Sequence, residues 1–301
     1  MKHYLLCVIS LSLPLFSADT GFQFFPDSVE LIAKWDVSST FSIEGFQAQF
    51  IDASKEEIDE LISFGLDPKE DIEEVLFGLV PDKEEGNESS FLAIVRYSKK
   101  INLESFITKL AKKENQKVNN QEYQGVTLFN FEDEDPMFFT DQIDGEWSII
   151  GSLSMVQRSI DLMNGKGTSV IQNHELMAAC QDGLLPHLFW ATGNLSSAGQ
   201  GMDYQNVLFT VDYLNGLQVA GNIPFKSEEE KVQINQTLSM GTGLLMMLAQ
   251  GKINPADIVI EERDSDIHFN VTIPDGLIQS LKEQAESMGQ KQVVPQDEKP
   301  D

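Results

Sequence analysis

The stretch "MFFTDQIDGEWSIIGS", residues 137–152, decides the fold class. Two runs rich in apolar and β-favouring residues, 137–143 and 146–152, are parted by Asp144 and Gly145. Asp-Gly is the preferred centre of a type I′ hairpin turn, because both positions need positive φ. A hairpin makes its two strands antiparallel neighbours, whereas parallel strands need long crossovers. The same signal recurs at Asn215 and Gly216, between runs 206–214 and 217–225. A further hairpin is expected about Asp264 and Ser265, between "DIVIEER" and "DIHFNVTIP".

Working outward, runs 29–37, 91–98, 125–131 and 187–196 also read as strands. Helices fall between them. Ser54 and Glu57 have capping-box spacing before a helix to Phe64. Asp67 as N-cap, Pro68 at the first helical position and Glu70 open a second helix, read to residue 79. "NLESFITKLAKK" places Leu103, Phe106, Ile107 and Leu110 on one helical face. Ser154 and Gln157 start a helix to about Asn164, and Asn173 caps another through "HELMAACQDG". A Ser227–Glu230 capping box opens a long helix that Gly251 ends, and a last helix is expected over 275–288. Antiparallel hairpins alternating with helices give an α+β fold rather than a doubly wound parallel sheet. The expectation is two similar modules, 18–185 and 186–288, each an antiparallel sheet with helices packed on one face. Their β-α-β-β arrangement is that of a ferredoxin-like unit. Whether the two share one sheet stays open.

The chain has 301 residues, with 48 Asp plus Glu against 21 Lys plus Arg, a formal charge of −27. At 41% hydrophobic it has enough apolar residues for a core, so the acidity belongs to the surface. Such a surface repels nucleic acid and anionic membranes, which are bound through basic patches. The first residues, "MKHYLLCVISLSLPLFSADTG", carry Lys2 and His3, an apolar run, then Ser17 and Ala18. That is the pattern of a signal peptide over 1–17. The run is too short to span a bilayer, which takes roughly 20 apolar residues. A periplasmic or extracellular location follows. With Cys7 in the signal, Cys180 is the one thiol left and cannot form an internal disulfide; its helical, apolar setting makes it a core residue. Residues 289–301 read as a disordered acidic tail.

The densest candidate site is acidic. Residues 131–146 hold Glu132, Asp133, Glu134, Asp135, Asp141, Asp144 and Glu146. They divide between two successive turns of a meander, which lie at opposite ends of a shared strand. Asp133 and Asp135 therefore sit roughly 20 Å from Asp144 and cannot join one mononuclear site. The EF-hand offsets are missing too. His174, His187 and His268 show no ligand spacing. His268 alternates with Ile267 and Phe269 and faces away from them. Gly241 and Gly243 lack the lysine of a phosphate loop and are read as close helix–sheet packing, with Met240, Met246 and Met247 filling core gaps. Ser196 and Ser197 lie in "GNLSSAGQGMDYQN", 193–206, a polar connection without a nucleophile elbow and a place to look for ligand contacts. Trp35, Trp147 and Trp190 are read as core, with a groove for sugar or peptide as the other use.

The order "FGLDPKEDIEEVLFGL", "FLAIVRYSKKINLESFITKL", "YQGVTLFNF" and "MFFTDQIDGEWSIIGSLSMVQRSIDLMNGKG" resembles a group of uncharacterised exported bacterial proteins. The resemblance rests on Gly65, Asp67 and Pro68, on Tyr123 and Gly125, and on Gly151 and Ser152, over roughly 65–185. It implies a secreted or periplasmic α+β protein and supplies no active-site residue. No residue is assigned a catalytic, cofactor or metal role, and no cofactor is expected. The function read from the sequence is an exported, soluble, non-enzymatic binding or envelope-associated scaffold protein, with a protein, peptide or glycan partner. The alternatives are an exported hydrolase using a carboxylate pair, and weak divalent-cation binding.

Overall fold

Asp144 and Gly145 both take positive φ, 53° and 77°, in the computed structural model, which describes residues 21–47, 55–80, 90–132, 136–183, 187–194, 206–249 and 251–277. Ile143 and Trp147 exchange backbone hydrogen bonds around them, so Glu146 joins the turn. Upstream, Phe138 pairs with Gly151 and Phe139 with Ile150, one residue out of step with the Ile143–Trp147 bridge. The irregularity shortens the expected strand 137–143 to Phe138–Thr140, and the Thr140 hydroxyl accepts from Ile149 N at 2.9 Å in place of a ladder carbonyl.

Twelve strands are described: β1 Leu31–Asp36, β2 Ile72–Val80, β3 Ser90–Tyr97, β4 Val118–Tyr123, β5 Val126–Phe131, β6 Phe138–Thr140, β7 Trp147–Gly151, β8 Phe189–Gly193, β9 Val207–Tyr213, β10 Leu217–Pro224, β11 Ile258–Glu262 and β12 Asp266–Ile273. They form one antiparallel sheet in the order β11-β12-β10-β9-β8-β1-β2-β3-β7-β6-β5-β4. The helices are α1 Val37–Ser42, α2 Lys55–Phe64, α3 Leu103–Lys113, α4 Leu153–Met163, α5 His174–Gly183 and α6 Glu228–Leu248, with shorter turns between. The α+β class is present. The expected ferredoxin-like form of each module, with helices on one face, is not, and the strands of both share one sheet. β1 pairs with β2 on one side and β8 on the other, so the sheet runs unbroken through the expected boundary near 186.

Residues paired across antiparallel strands share a face, and the registers sort the core into two layers. On one face Ile32, Leu76, Ile94, Ile149 and Trp190 pack under Phe22, Phe25, α4 and α5. On the other, Val75, Ala93 and Val95 pack under α1, α2 and α3, and beyond β8 Ile267, Phe269 and Val271 pack under α6. Helices therefore cover both faces.

The same two-sided burial explains the one helix misread as to type. Asp67 does cap a turn, with its side chain accepting from Lys69 N at 3.0 Å. The helix stops at Asp71, and "IEEVLFGLV" runs on as β2. Its run Val75–Leu76–Phe77 presents side chains alternately to both layers, and such a run carries no strand alternation to set against a helix. Asp71, 3% exposed, accepts from Asp67 N at 2.9 Å and faces Lys99 Nζ at 2.5 Å. The N-cap of α4 is Ser152, not Ser154. β4, "VNNQEY", has no apolar alternation and escaped the sequence reading; its one signal in sequence was Gly125, which with Gln124 takes positive φ in the turn to β5. The signal-like segment 1–17, the last helix beyond Leu277 and the tail 289–301 lie outside the described residues.

Candidate functional site

The faces of the sheet are not equally covered. α5 is fixed by its Asn173 cap, whose Oδ1 accepts from Leu176 N at 3.1 Å, and by Leu176, Met177 and Cys180, which pack on Trp190. Beyond α5 the same face continues along two rows of paired residues, Trp190–Thr210–Ala220–Asn270 and Thr192–Leu208–Asn222–His268. Past Trp190 and Thr192, the side chains of these rows are small or polar, apart from the buried Leu208. The opposite face of the same strands carries the apolar core under α6. This half of the sheet is thus apolar on one side and mainly polar on the other, where Leu208 is the apolar exception, with α5 as the wall of a groove.

Two adjoining depressions mark the groove. One, of about 490 Å³, lies where β1 and α5 begin, between Asp27, Ser28, Asn173, Glu175, Asn194 and Asn206. The other, of about 570 Å³, lies between the outer flank of α5 (Glu175, Ala178) and the strands (Asn206, Leu208, Asn222, Asp266). Glu175 and Asn206 belong to both, and among the described residues neither is lined by Lys or Arg. Local bonds hold the walls. Asn206 N donates to Asn194 Oδ1 at 3.2 Å, and Asn194 N to Glu30 O at 2.9 Å. Nδ1 of His268 lies 2.8 Å from Asn222 Oδ1. Arg158 faces Asp27 at 3.5 Å and Arg263 faces Asp266 at 3.8 Å. Ser28 Oγ and Asp266 Oδ1 are buried without a hydrogen-bond partner among the described residues. The described lining of carboxylates, amides and a hydroxyl, with Arg158 and Arg263 facing two of the carboxylates, suits ligands that donate hydrogen bonds, such as amines and hydroxyls.

The residues singled out by sequence fall elsewhere. Asp133–Asp135 and Ser196–Ser197 lie outside the described residues, while Asn194 and Asn206, which bracket the second stretch, line the groove. Asp144 is committed to its turn. Among the described residues no three His, Cys, Asp or Glu side chains gather as a metal site. His268 does face away from Ile267 and Phe269, toward Asn222. His187 Nδ1 is 2.6 Å from Asp212 Oδ2, whose other oxygen accepts from Leu188 N at 3.3 Å. Cys180 is fully buried and donates to Leu176 O at 3.0 Å; burial pushes its thiol up to about 12. Trp147 and Trp190 are buried and Trp35 donates to Thr40 Oγ1 at 3.0 Å; none of the three lines the groove.

The reading of α6 needs correction. A Cβ on Gly241 or Gly243 would meet nothing within 4 Å, so these glycines do not mediate close packing. Met240 and Met247 are 70% and 67% exposed rather than core fillers, and of the three only Met246 packs against buried neighbours. The one trace of the groove in sequence was the polar connection 193–206, whose Asn194 and Asn206 line it. Glu175 and Asp266 are far apart in the chain and no motif links them.

No protein-family model matches the chain, and no curated protein does. A solved structure titled "Structure of crystal form I of TP0453" aligns over 89% of this chain and 96% of its own, at 8% identity and a TM-score of 0.45. Likeness at that level transfers neither fold nor function.

Proposed function

We propose that the protein is an exported, soluble, non-enzymatic binding or envelope-associated scaffold module that takes its ligand in the groove beside α5. The observation that carries this reading is the half-covered sheet. A packed layer roofs one half of the face, and the other half presents a mainly polar floor walled by carboxylates and amides. The signal-like residues 1–17 support export. The lining favours ligands with ammonium or hydroxyl groups. Calorimetric titration of the full chain with spermine, tetralysine and glucosamine tests the idea. At least one should bind, and Ala178→Trp, which fills the groove from the exposed flank of α5, should weaken it by about tenfold or more, a change of about 1.4 kcal/mol. Failure of all three probes, or binding untouched by the tryptophan, sinks it.

One observation favours the hydrolase alternative. Glu175 and Asp266 line the same depression, and two carboxylates across a cleft suffice for glycoside hydrolysis. Glu175→Gln and Asp266→Asn separate the readings. Turnover of a glycoside that either change abolishes would establish the hydrolase; binding without turnover in the unaltered protein leaves the module.

A further inference from the structure

The sheet has an exposed end far from the groove. β4 is its terminal strand and, among the described residues, pairs with β5 alone. Glu132 N donates to Lys117 O at 3.0 Å, and the register matches Val118 to Phe131. Backbone direction alternates along an antiparallel strand, so Asn119, Gln121 and Tyr123 bond to β5. Val118, Asn120 and Glu122 therefore turn their N–H and C=O groups outward. Asn119 through Glu122 are exposed, so the edge lies open to solvent.

A groove runs beside this edge. The side chains of Val118 and Asn120 lie on the face that α3 covers, and between helix and strand is a depression of about 570 Å³. Ala111, Val118 and Phe129 give it an apolar floor, Lys112 and Lys117 a basic rim, and among the described residues Glu104 is the carboxylate that lines it. The rim belongs to a local reversal of charge. Residues 99–117 hold six lysines and two glutamates, a net +4, which leaves −27 − 4 = −31 for the rest of the chain. Several of these lysines have partners on the protein. Lys99 faces Asp71, Lys109 donates to Phe64 O, Lys113 pairs with Glu60, and Lys117 lies 3.3 Å from Glu132 while its side chain stays 81% exposed.

We propose that β4 is a docking edge for an extended acidic segment of a partner protein. The segment adds as a further strand on Val118, Asn120 and Glu122 and lays alternate side chains along the lysine-rimmed groove. Main-chain bonds supply the affinity in such strand addition, and the flanking pocket selects side chains. The charge decides the partner. Lysines that only guard an edge sit on the edge strand itself, whereas β4 carries no lysine and the rim lies on α3 and the residue before β4.

A fluorescein-labelled decapeptide of alternating Glu and Val, with its Lys–Val counterpart, tests this by anisotropy on the full chain at low ionic strength. The Glu–Val peptide should bind and the Lys–Val peptide should not. Asn120→Pro removes an outward donor while sparing the β5 ladder, and should raise Kd by about tenfold or more, the loss of about 1.4 kcal/mol. N-methylation of alternate peptide residues should do the same and leaves the protein unaltered, so the test stands even where the proline variant fails to fold. Lys112→Glu with Lys117→Glu should reverse the preference between the two peptides. Equal binding of both peptides, indifference to N-methylation, or no binding of the Glu–Val peptide overturns the proposal.

Discussion

Cys180 and Tyr97 show what burial does to single groups. Both are held in the two core layers, and burial raises the Cys180 thiol and the Tyr97 phenol to about 12, the latter opposed by a hydrogen bond with Ser148. A raised folded-state pKa leaves stability intact below the unfolded value and removes it as pH climbs toward the folded one. The unfolded chain releases its thiol proton near pH 8.5 and its phenol proton near pH 10. Unfolding free energy should therefore begin to fall near pH 9 and fall more steeply above pH 10, by about 1.4 kcal/mol per pH unit for each group, with melting temperature falling alongside. Cys180→Ala should delay the onset to the tyrosine step, and the same onset in that variant would refute the assignment. The sequence already placed Cys180 in a core, since it sits on the apolar side of a helical pattern. The groove residues could not be read this way. Asn206, Asn222 and Asp266 are ordinary surface types, and only the pairing of β9, β10 and β12 puts them on one floor.

Elements were legible where the chain carries a local signal. The Asp144–Gly145 and Asn215–Gly216 turns, the Ser227 cap with Glu230 N donating at 3.1 Å, and the Asn173 cap were all readable from side-chain chemistry. β2 and β4 failed for opposite reasons. β2 is apolar on both sides because it is central, and β4 is polar on both because it is the edge. α6 was placed correctly but misjudged as to what its glycines do. With open space around Gly241 and Gly243, alanine at each should remove backbone freedom without a clash. The double change Gly241→Ala with Gly243→Ala should stabilise the protein by roughly 1–2 kcal/mol in urea denaturation. A loss of stability would mean that the glycines serve a contact after all.

At the scale of the whole molecule, β1 is the strand through which the two expected halves share one sheet. Gly193 lies in that seam, opposite Leu31, with φ at 150°. A Cβ there would stand 2.2 Å from Glu30 O and 2.5 Å from Leu31 Cα. Gly193→Ala should cost about 3 kcal/mol or more, through backbone strain and clash together. Far-UV circular dichroism and tryptophan fluorescence should lose structure together in that variant. Two separated transitions would show that the halves fold independently.

The sequence by itself determined the local matters: which segments turn, where most helices start, and that the sheet is antiparallel. These follow from φ preferences, caps and periodicity within a few residues. Only the tertiary structure decided which strand lies beside which. That depends on contacts between residues far apart in the chain, as where β1 meets β8. Strand order in turn decided that helices cover both faces, that one half of a face is left mainly polar beside α5, and that β4 ends the sheet beside a basic groove.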